Sequence, residues 1–290
     1  MNDYLVRCMT TTGNIRGFAC VTTNLVNQAC QKHSTLPTAT DALGRALTCG
    51  VMMGAQLKGR ERVALKFKGS GPLKKILIEA NSRGEVRGYV GVPEVNLPLN
   101  NGKPDVVSAI GKAGLLTVTK DLGLKEPYRG IVHLYSSEIA EDLAYYLAES
   151  EQIPSAVGVG IFVAPNTSVT AAGGFLIQSL PPAEESLIEQ VIQRIQEMPP
   201  LTEMLLQGHT PEQILETIFA EMPYEILGTQ ALSFRCSCSK ARIEQALISL
   251  GVKELDSLMA EGEAEVICEF CRTLYTFTQN ELENLKKQIN

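Results

Sequence analysis

The sequence predicts an α+β protein with three parts: an N-terminal domain on a mixed or antiparallel sheet with packed helices, a helical linker, and a small C-terminal domain carrying four cysteines. Three observations predict it. Alternating apolar segments recur in pairs joined by short turns through residues 1–179. At Leu180-Pro181-Pro182 the composition shifts to an acidic stretch of helical periodicity, residues 180–230. Residues 231–290 hold two close cysteine pairs. Many strands, few helices and mostly hairpin connections form the α+β pattern.

Tyr4–Met9 and Ile15–Val21 flank the turn Thr11-Thr12-Gly13-Asn14 and read as a hairpin. A short helix follows, with Leu25, Val26, Ala29 and Cys30 on one face. Thr38-x-x-Asp41 resembles a capping box opening a helix that runs to Leu57. Its small residues (Ala42, Gly44, Ala46, Gly50, Gly54, Ala55) predict a central helix packed closely against strands. Strands are expected over 62–68, 73–80 and 85–92, the last two joined at Asn81-Ser82-Arg83-Gly84, and a further pair over 115–120 and 129–135. Ile139, Leu143, Tyr146 and Leu147 mark a helix over 137–150, and strands 157–163 and 169–177 close the domain around Pro165-Asn166.

From Leu180 to about Gly228 the chain reads helical, broken at Pro199-Pro200 and Gly208. Leu187, Ile188, Val191, Ile192 and Ile195 form one apolar stripe; Ile214, Leu215, Ile218 and Phe219 form another, behind a capping box at Thr210-Pro211-Glu212-Gln213. Amphipathic helices must bury such stripes. In the last segment a strand over 231–235 leads to a helix capped by Ser239, a second helix with Leu255, Leu258 and Met259, a hairpin over 264–268 and 273–277, and a helix boxed by Thr278-x-x-Glu281.

Charge is uneven. Residues 1–179 carry 18 basic and 14 acidic residues, residues 180–230 one basic residue, Arg194, against nine glutamates, and residues 231–290 seven basic against nine acidic. The acidic linker therefore either docks on the mildly basic core or presents a solvated face. Met1-Asn2-Asp3-Tyr4 has no basic n-region or apolar run, so no signal peptide is expected. The longest apolar stretch, 42–57, contains Arg45 and falls short of the about 20 residues that span a bilayer. These readings predict a cytoplasmic protein, with no membrane partner and with reduced thiols at rest.

No Walker loop, dinucleotide fingerprint or Gly-x-Ser-x-Gly occurs; Gly69-Ser70-Gly71-Pro72 lacks the Lys-Ser/Thr of a phosphate loop. His33, His133 and His209 stand alone without metal-ligand spacing. With no catalytic constellation, a non-enzymatic role is expected.

The cysteines carry the chemistry. Cys236-x-Cys238 and Cys268-x-x-Cys271 are separated by 29 residues, the spacing of a four-thiolate zinc site. Soft sulfur suits this borderline-soft cation, and four ligands close a tetrahedron. Two structural disulfides or four buried thiols are the alternatives, the former disfavoured in a reducing compartment. Cys-x-Cys crowds two sulfurs and permits a tight local disulfide, so the site is either a structural clip or a metal-masked thiol switch. Arg235, Lys240, Arg242 and Arg272 lie close in sequence and favour thiolate. Cys8, Cys20, Cys30 and Cys49 read as small core residues. A 60-residue unit has a small core, so bound metal should supply much of its folding free energy.

These cysteines, with Thr40-Asp41-Ala42-Leu43-Gly44-Arg45, Met53-Gly54-Ala55-Gln56-Leu57-Lys58-Gly59, Val118-Thr119-Lys120-Asp121-Leu122-Gly123-Leu124, Ser155-Ala156-Val157-Gly158-Val159-Gly160 and Ala171-Ala172-Gly173-Gly174-Phe175, resemble the redox-regulated heat-shock holdase chaperones, the bacterial 33 kDa chaperonins. The resemblance covers essentially the whole chain. It implies an ATP-independent holdase that is inactive when reduced, with one Zn2+ on Cys236, Cys238, Cys268 and Cys271. Oxidation would form Cys236–Cys238 and Cys268–Cys271 disulfides, release zinc and unfold the linker. The active form would dimerise and hold unfolding client proteins. Two other classes compete: a zinc-ribbon nucleic-acid-binding protein, which should be basic where residues 231–290 are acidic, and a thiol oxidoreductase using Cys236 or Cys268. The reading adopted has no nucleic-acid partner.

Overall fold

A computed structural model describes residues 2–12, 14–182, 184–260 and 262–289. Gly13, in the first expected turn, lies outside them. The chain forms two compact units, 1–235 and 236–290.

The first unit begins with β1 (Tyr4–Thr10), β2 (Ile15–Val21), α1 (Thr23–His33) and α2 (Pro37–Gly54). There follow β3 (Arg62–Gly69), β4 (Lys75–Asn81), β5 (Glu85–Val90), α3 (Val106–Ile110), β6 (Gly114–Asp121), β7 (Tyr128–His133) and α4 (Ile139–Glu149). It ends with β8 (Ser155–Val163), β9 (Val169–Ser179), α5 (Glu185–Glu197), α6 (Leu201–Leu206), α7 (Pro211–Phe219), β10 (Tyr224–Ala231) and β11 (Ser233–Phe234). Two sheets result, β10-β1-β2-β9-β8 and β11-β5-β4-β3-β6-β7, antiparallel except where β11 joins β5. The fold is thus α+β, as the hairpin pattern predicts.

Helix α2 packs against strands of both sheets, which its small residues allow. A Cβ at Gly44 would meet Ile161 of β8 at 3.1 Å, and one at Gly50 would meet Ile78 of β4 at 2.6 Å. The expected capping box at its start does not form. Pro37 occupies the first turn, and the Thr38 hydroxyl is spent on the 96–97 loop, accepting from the Leu97 amide at 2.9 Å. Asp41 instead holds Arg45 through two hydrogen bonds of 2.8 Å, and Arg45 reaches Glu138 at 2.7 Å. The buried carboxylate is therefore paired, as its burial demands.

Helices α6 and α7 bury their apolar residues on the outer face of the β1-β2-β9-β8 sheet, whereas of the α5 stripe only Val191 is buried and Ile192 is exposed. Val191, Met204, Leu205, Ile214, Leu215, Ile218 and Phe219 close one core with Val6, Cys8, Ile15, Ala19, Phe175 and Ile177. Gly17 lets α7 approach: a Cβ there would meet Cys8 Sγ at 2.8 Å and Phe219 at 2.9 Å. The capping box at Thr210 and Gln213 forms as expected. The helical reading up to Gly228 is corrected. Pro223 follows α7, and residues 224–231 pair antiparallel with β1 because that edge would otherwise leave its backbone groups unbonded.

The second unit comprises α8 (Lys240–Leu250), α9 (Val252–Ala260), β12 (Ala264–Ile267), β13 (Leu274–Phe277) and α10 (Gln279–Lys287). Its core is small: Leu247, Leu255, Ala264, Phe277, Leu282 and Leu285 are the buried members. Ser239 caps α8, and Thr278 with Glu281 forms a capping box on α10, both as the sequence predicts.

Candidate metal centre

Two turns bring the four cysteines together. Cys236 and Cys238 lie in the irregular stretch before α8, whose amino end is fixed by the Ser239 cap. The Arg242 guanidinium donates to the Ser237 carbonyl at 2.9 Å and hydroxyl at 2.8 Å, which pins the residue between the two sulfurs. Cys268 and Cys271 lie in the β12–β13 connection. There the Arg272 amide donates to the Cys268 carbonyl at 2.8 Å, the Cys268 amide donates to the Thr273 carbonyl, and Arg272 adopts φ 58°. This tight turn aims both sulfurs inward.

The four sulfurs lie within 4.8 Å of one another. A tetrahedral site with metal–sulfur bonds of about 2.3 Å has sulfur–sulfur edges of about 3.8 Å. Cys236 and Cys268 stand 3.8 Å apart, Cys238 and Cys271 3.3 Å. None of the eight cysteines is in a disulfide. The donor set and its spacing fit a four-thiolate metal ion. Cys268 and Cys271 are buried, and Cys236 and Cys238 are partly open, so one side of the cluster can be reached by a small oxidant.

The thiols share protons unequally. Burial pushes Cys268 up and Cys238 up to about 12, although the Tyr275 hydroxyl donates to Cys238 at 3.1 Å. Burial also opposes ionisation of Cys271, but hydrogen bonds from Thr273 and from the Cys238 and Cys268 thiols outweigh it and bring Cys271 down to about 7. Cys271 is thus the most readily ionised of the shifted thiols, and a bound ion would displace the remaining protons.

Thr273 and Tyr275 were not evident as site residues from the cysteine motif. The signal was only closeness in sequence: Thr273 and Tyr275 follow Cys271 by two and four positions. Two of the four nearby cations expected to favour thiolate are committed elsewhere. Lys240 pairs with Glu281 at 2.5 Å and lies over the Phe277 ring, and Arg235 pairs with Glu85 at 3.1 Å. Cys8, Cys20, Cys30 and Cys49 are buried in the first unit, and burial raises all four thiols: Cys8 and Cys49 to about 12, Cys30 to about 11, and Cys20 upward. His33 is buried and stacks on Tyr89, and His209 meets the Met204 carbonyl through Nδ1. No histidine joins the metal-ligating group among the described residues.

Residues 3–278 match the family model described as "Hsp33 protein". The chain belongs to the Hsp33 family. It is 59% identical over 290 residues to a protein of Geobacter sulfurreducens named 33 kDa chaperonin, covering 100% of this chain and 96% of the relative. It is 45% identical over 288 residues to the 33 kDa chaperonin of Bacillus subtilis, covering 99% of each. The crystal structure of the 33 kDa chaperonin from Thermotoga maritima superposes with a TM-score of 0.93 at 38% identity, covering 99% of each chain. The relatives are chaperonins by name, and the four clustered cysteines could hold the metal ion that the resemblance leads one to expect. No helix among the described residues is long and apolar enough to cross a membrane.

Proposed function

We propose that the protein is a redox-regulated, ATP-independent holdase of the cytoplasm, without enzymatic activity, that binds unfolding clients. The observation that carries the proposal is the convergence of four thiols in a unit whose apolar core has six buried members among the described residues. The working parts are 1–179 as the core, 180–230 as the covering segment and 231–290 as the sensor.

Zinc bound by Cys236, Cys238, Cys268 and Cys271 would hold the thiols as thiolates and contribute an apparent binding free energy of about 10–16 kcal/mol. That exceeds what so small a core holds in reserve. Peroxide oxidises each pair. The Cys236–Cys238 and Cys268–Cys271 bonds form, each pair of thiolates losing two electrons to one peroxide, which takes up two protons from solvent and leaves as two waters. The sulfurs then cease to be ligands and the C-terminal unit loses its main stabilising contribution. Its chain runs directly back into β11 and β10, so unfolding reaches the covering segment. When α5–α7 leave, the apolar face of β1, β2 and β9 opens to clients and to a second copy, giving the active homodimer.

Light scattering from a thermally unfolding client tests the proposal, with released zinc counted in the same samples. Suppression only by the oxidised, zinc-depleted protein is expected. Equal suppression by the reduced, zinc-loaded protein would make the site a structural clip on a constitutive chaperone.

A further inference from the structure

A cleft of about 350 Å³ opens beside the carboxyl end of α2, lined by Arg7 and Met9 of β1, Arg16 and Phe18 of β2, Gln56, and Leu227 of β10. It holds two guanidiniums and no carboxylate. Arg16 is half-buried, and its hydrogen bonds go to neutral amides: Nε donates to Gln178 Oε1 at 2.8 Å and Nη2 to Gln56 Oε1 at 2.9 Å. A guanidinium has five N–H donors, so three remain. Arg7 is exposed and makes no salt bridge among the described residues. Burial lowers the Arg16 pKa, and Glu151 opposes that shift.

The far wall is apolar and specially shaped. The β1–β10 pairing shifts register between Arg7 and Cys8: Arg7 faces Gly228 and Cys8 faces Ile226, which leaves Leu227 as the extra residue of a bulge. Bulges re-aim side chains beside sites. Leu227 here lines the cleft opposite Phe18, whose ring lies 5.8 Å from the Arg16 guanidinium carbon.

We propose that this cleft binds a small-molecule oxyanion, phosphate or carboxylate, with Arg7 and Arg16 on the charged head and Phe18 and Leu227 against an apolar body. Paired guanidiniums match such heads in geometry and charge. The ligand would span β1, β2 and β10, so it would also hold β10 on the sheet by mass action. The binding proposal does not rest on the cysteine cluster or on the chaperone reading.

The test is calorimetric titration of the full-length, reduced, zinc-loaded protein with phenyl phosphate, inorganic phosphate and benzoate, at ionic strength fixed with chloride. Saturable one-to-one binding is expected, with phenyl phosphate favoured over inorganic phosphate. Preference between phenyl phosphate and benzoate identifies the head group. Arg7→Gln, at an exposed position, should weaken binding about tenfold, or ~1.4 kcal/mol. Leu227→Ser should weaken phenyl phosphate and leave inorganic phosphate unchanged. Bound ligand should slow amide exchange at residues 226–228. Absence of saturable heat for all three probes, or an affinity unchanged by Arg7→Gln, overturns the proposal.

Discussion

Replacing Phe219 by alanine tests whether the covering segment is held by α7. Phe219 is fully buried, meets the Tyr224 ring in a tilted contact at 5.1 Å, and lies over the bare backbone of Gly17. Its carbonyl accepts a hydrogen bond from Arg194 of α5, which ties the two helices together. Removing a buried Phe ring costs about 3–5 kcal/mol, more where the site cannot collapse. Collapse is restricted here, because Gly17 sits mid-strand and is paired on both sides, with Cys8 and Ile177. If residues 185–231 open separately from the rest, the whole cost falls on that opening. A cost of about 3 kcal/mol is then more than a hundredfold in its population. Hydrogen exchange on the reduced, zinc-loaded variant should therefore quicken by that factor over 185–231 and stay unchanged over α2. The same sample should suppress client aggregation without oxidant. The reasoning is refuted if α2 quickens equally, since the segment would then be an inseparable part of the core. It is also refuted if the segment opens and no suppression follows.

Other outcomes follow from the same contacts. Chelating metal from the reduced protein should collapse the amide dispersion of residues 240–289 while β3 and β4 stay protected; retained dispersion would show that the six-residue core suffices. Tyr275→Phe removes the hydroxyl that donates to Cys238 Sγ and should weaken zinc binding about 10–100-fold in a competition titration with a chromophoric chelator. Cys8 is held up to about 12 by burial beneath α7. On activation its alkylation at pH 8 should rise by roughly a thousandfold as the thiol returns toward an ordinary value. Cys49, buried in α2, should stay unlabelled, and equal labelling of both would mean that the core itself unfolds.

Elements that satisfy themselves locally were legible in the sequence. The capping boxes at Thr210 and Thr278, the Ser239 cap and the β12–β13 hairpin each need only a few neighbouring residues. The four cysteines were legible because a metal demands its own spacing. What could not be read depends on distant partners. Residues 224–231 continue an acidic helical stretch, yet they form a strand because the β1 edge is free, a fact set more than 200 positions earlier in the chain. Thr38 and Asp41 carry a capping-box pattern, but the 96–97 loop and Arg45 compete for the two side chains and win. Lys240 reads as a cation beside the thiolates until Glu281, 41 residues away, takes it. Sequence spacing brought out the four thiols, whereas the groups that hydrogen-bond them needed the fold.

The β1-β2-β9-β8 part of the five-stranded sheet explains why a covering segment is required at all. Its inner face meets α2, and its outer face presents Val6, Cys8, Ile15, Ala19, Phe175 and Ile177 without a charged side chain among them. Sheets buried on both faces read as continuous apolar runs, and one face cannot be left in water without cost. The covering segment answers this with apolar residues packed on the sheet and a strongly acidic composition, nine glutamates against one arginine over 180–230. Its grip is uneven. Helix α7 buries Ile214, Leu215, Ile218 and Phe219 fully, whereas α5 buries only Val191 and leaves a cleft of about 170 Å³ against Ile15, Ala156 and Ile177. Under the proposed function, α5 therefore opens at low cost and α7 sets the threshold. What then binds the exposed face is selected by apolar area rather than by particular side chains, the property a chaperone of varied clients needs.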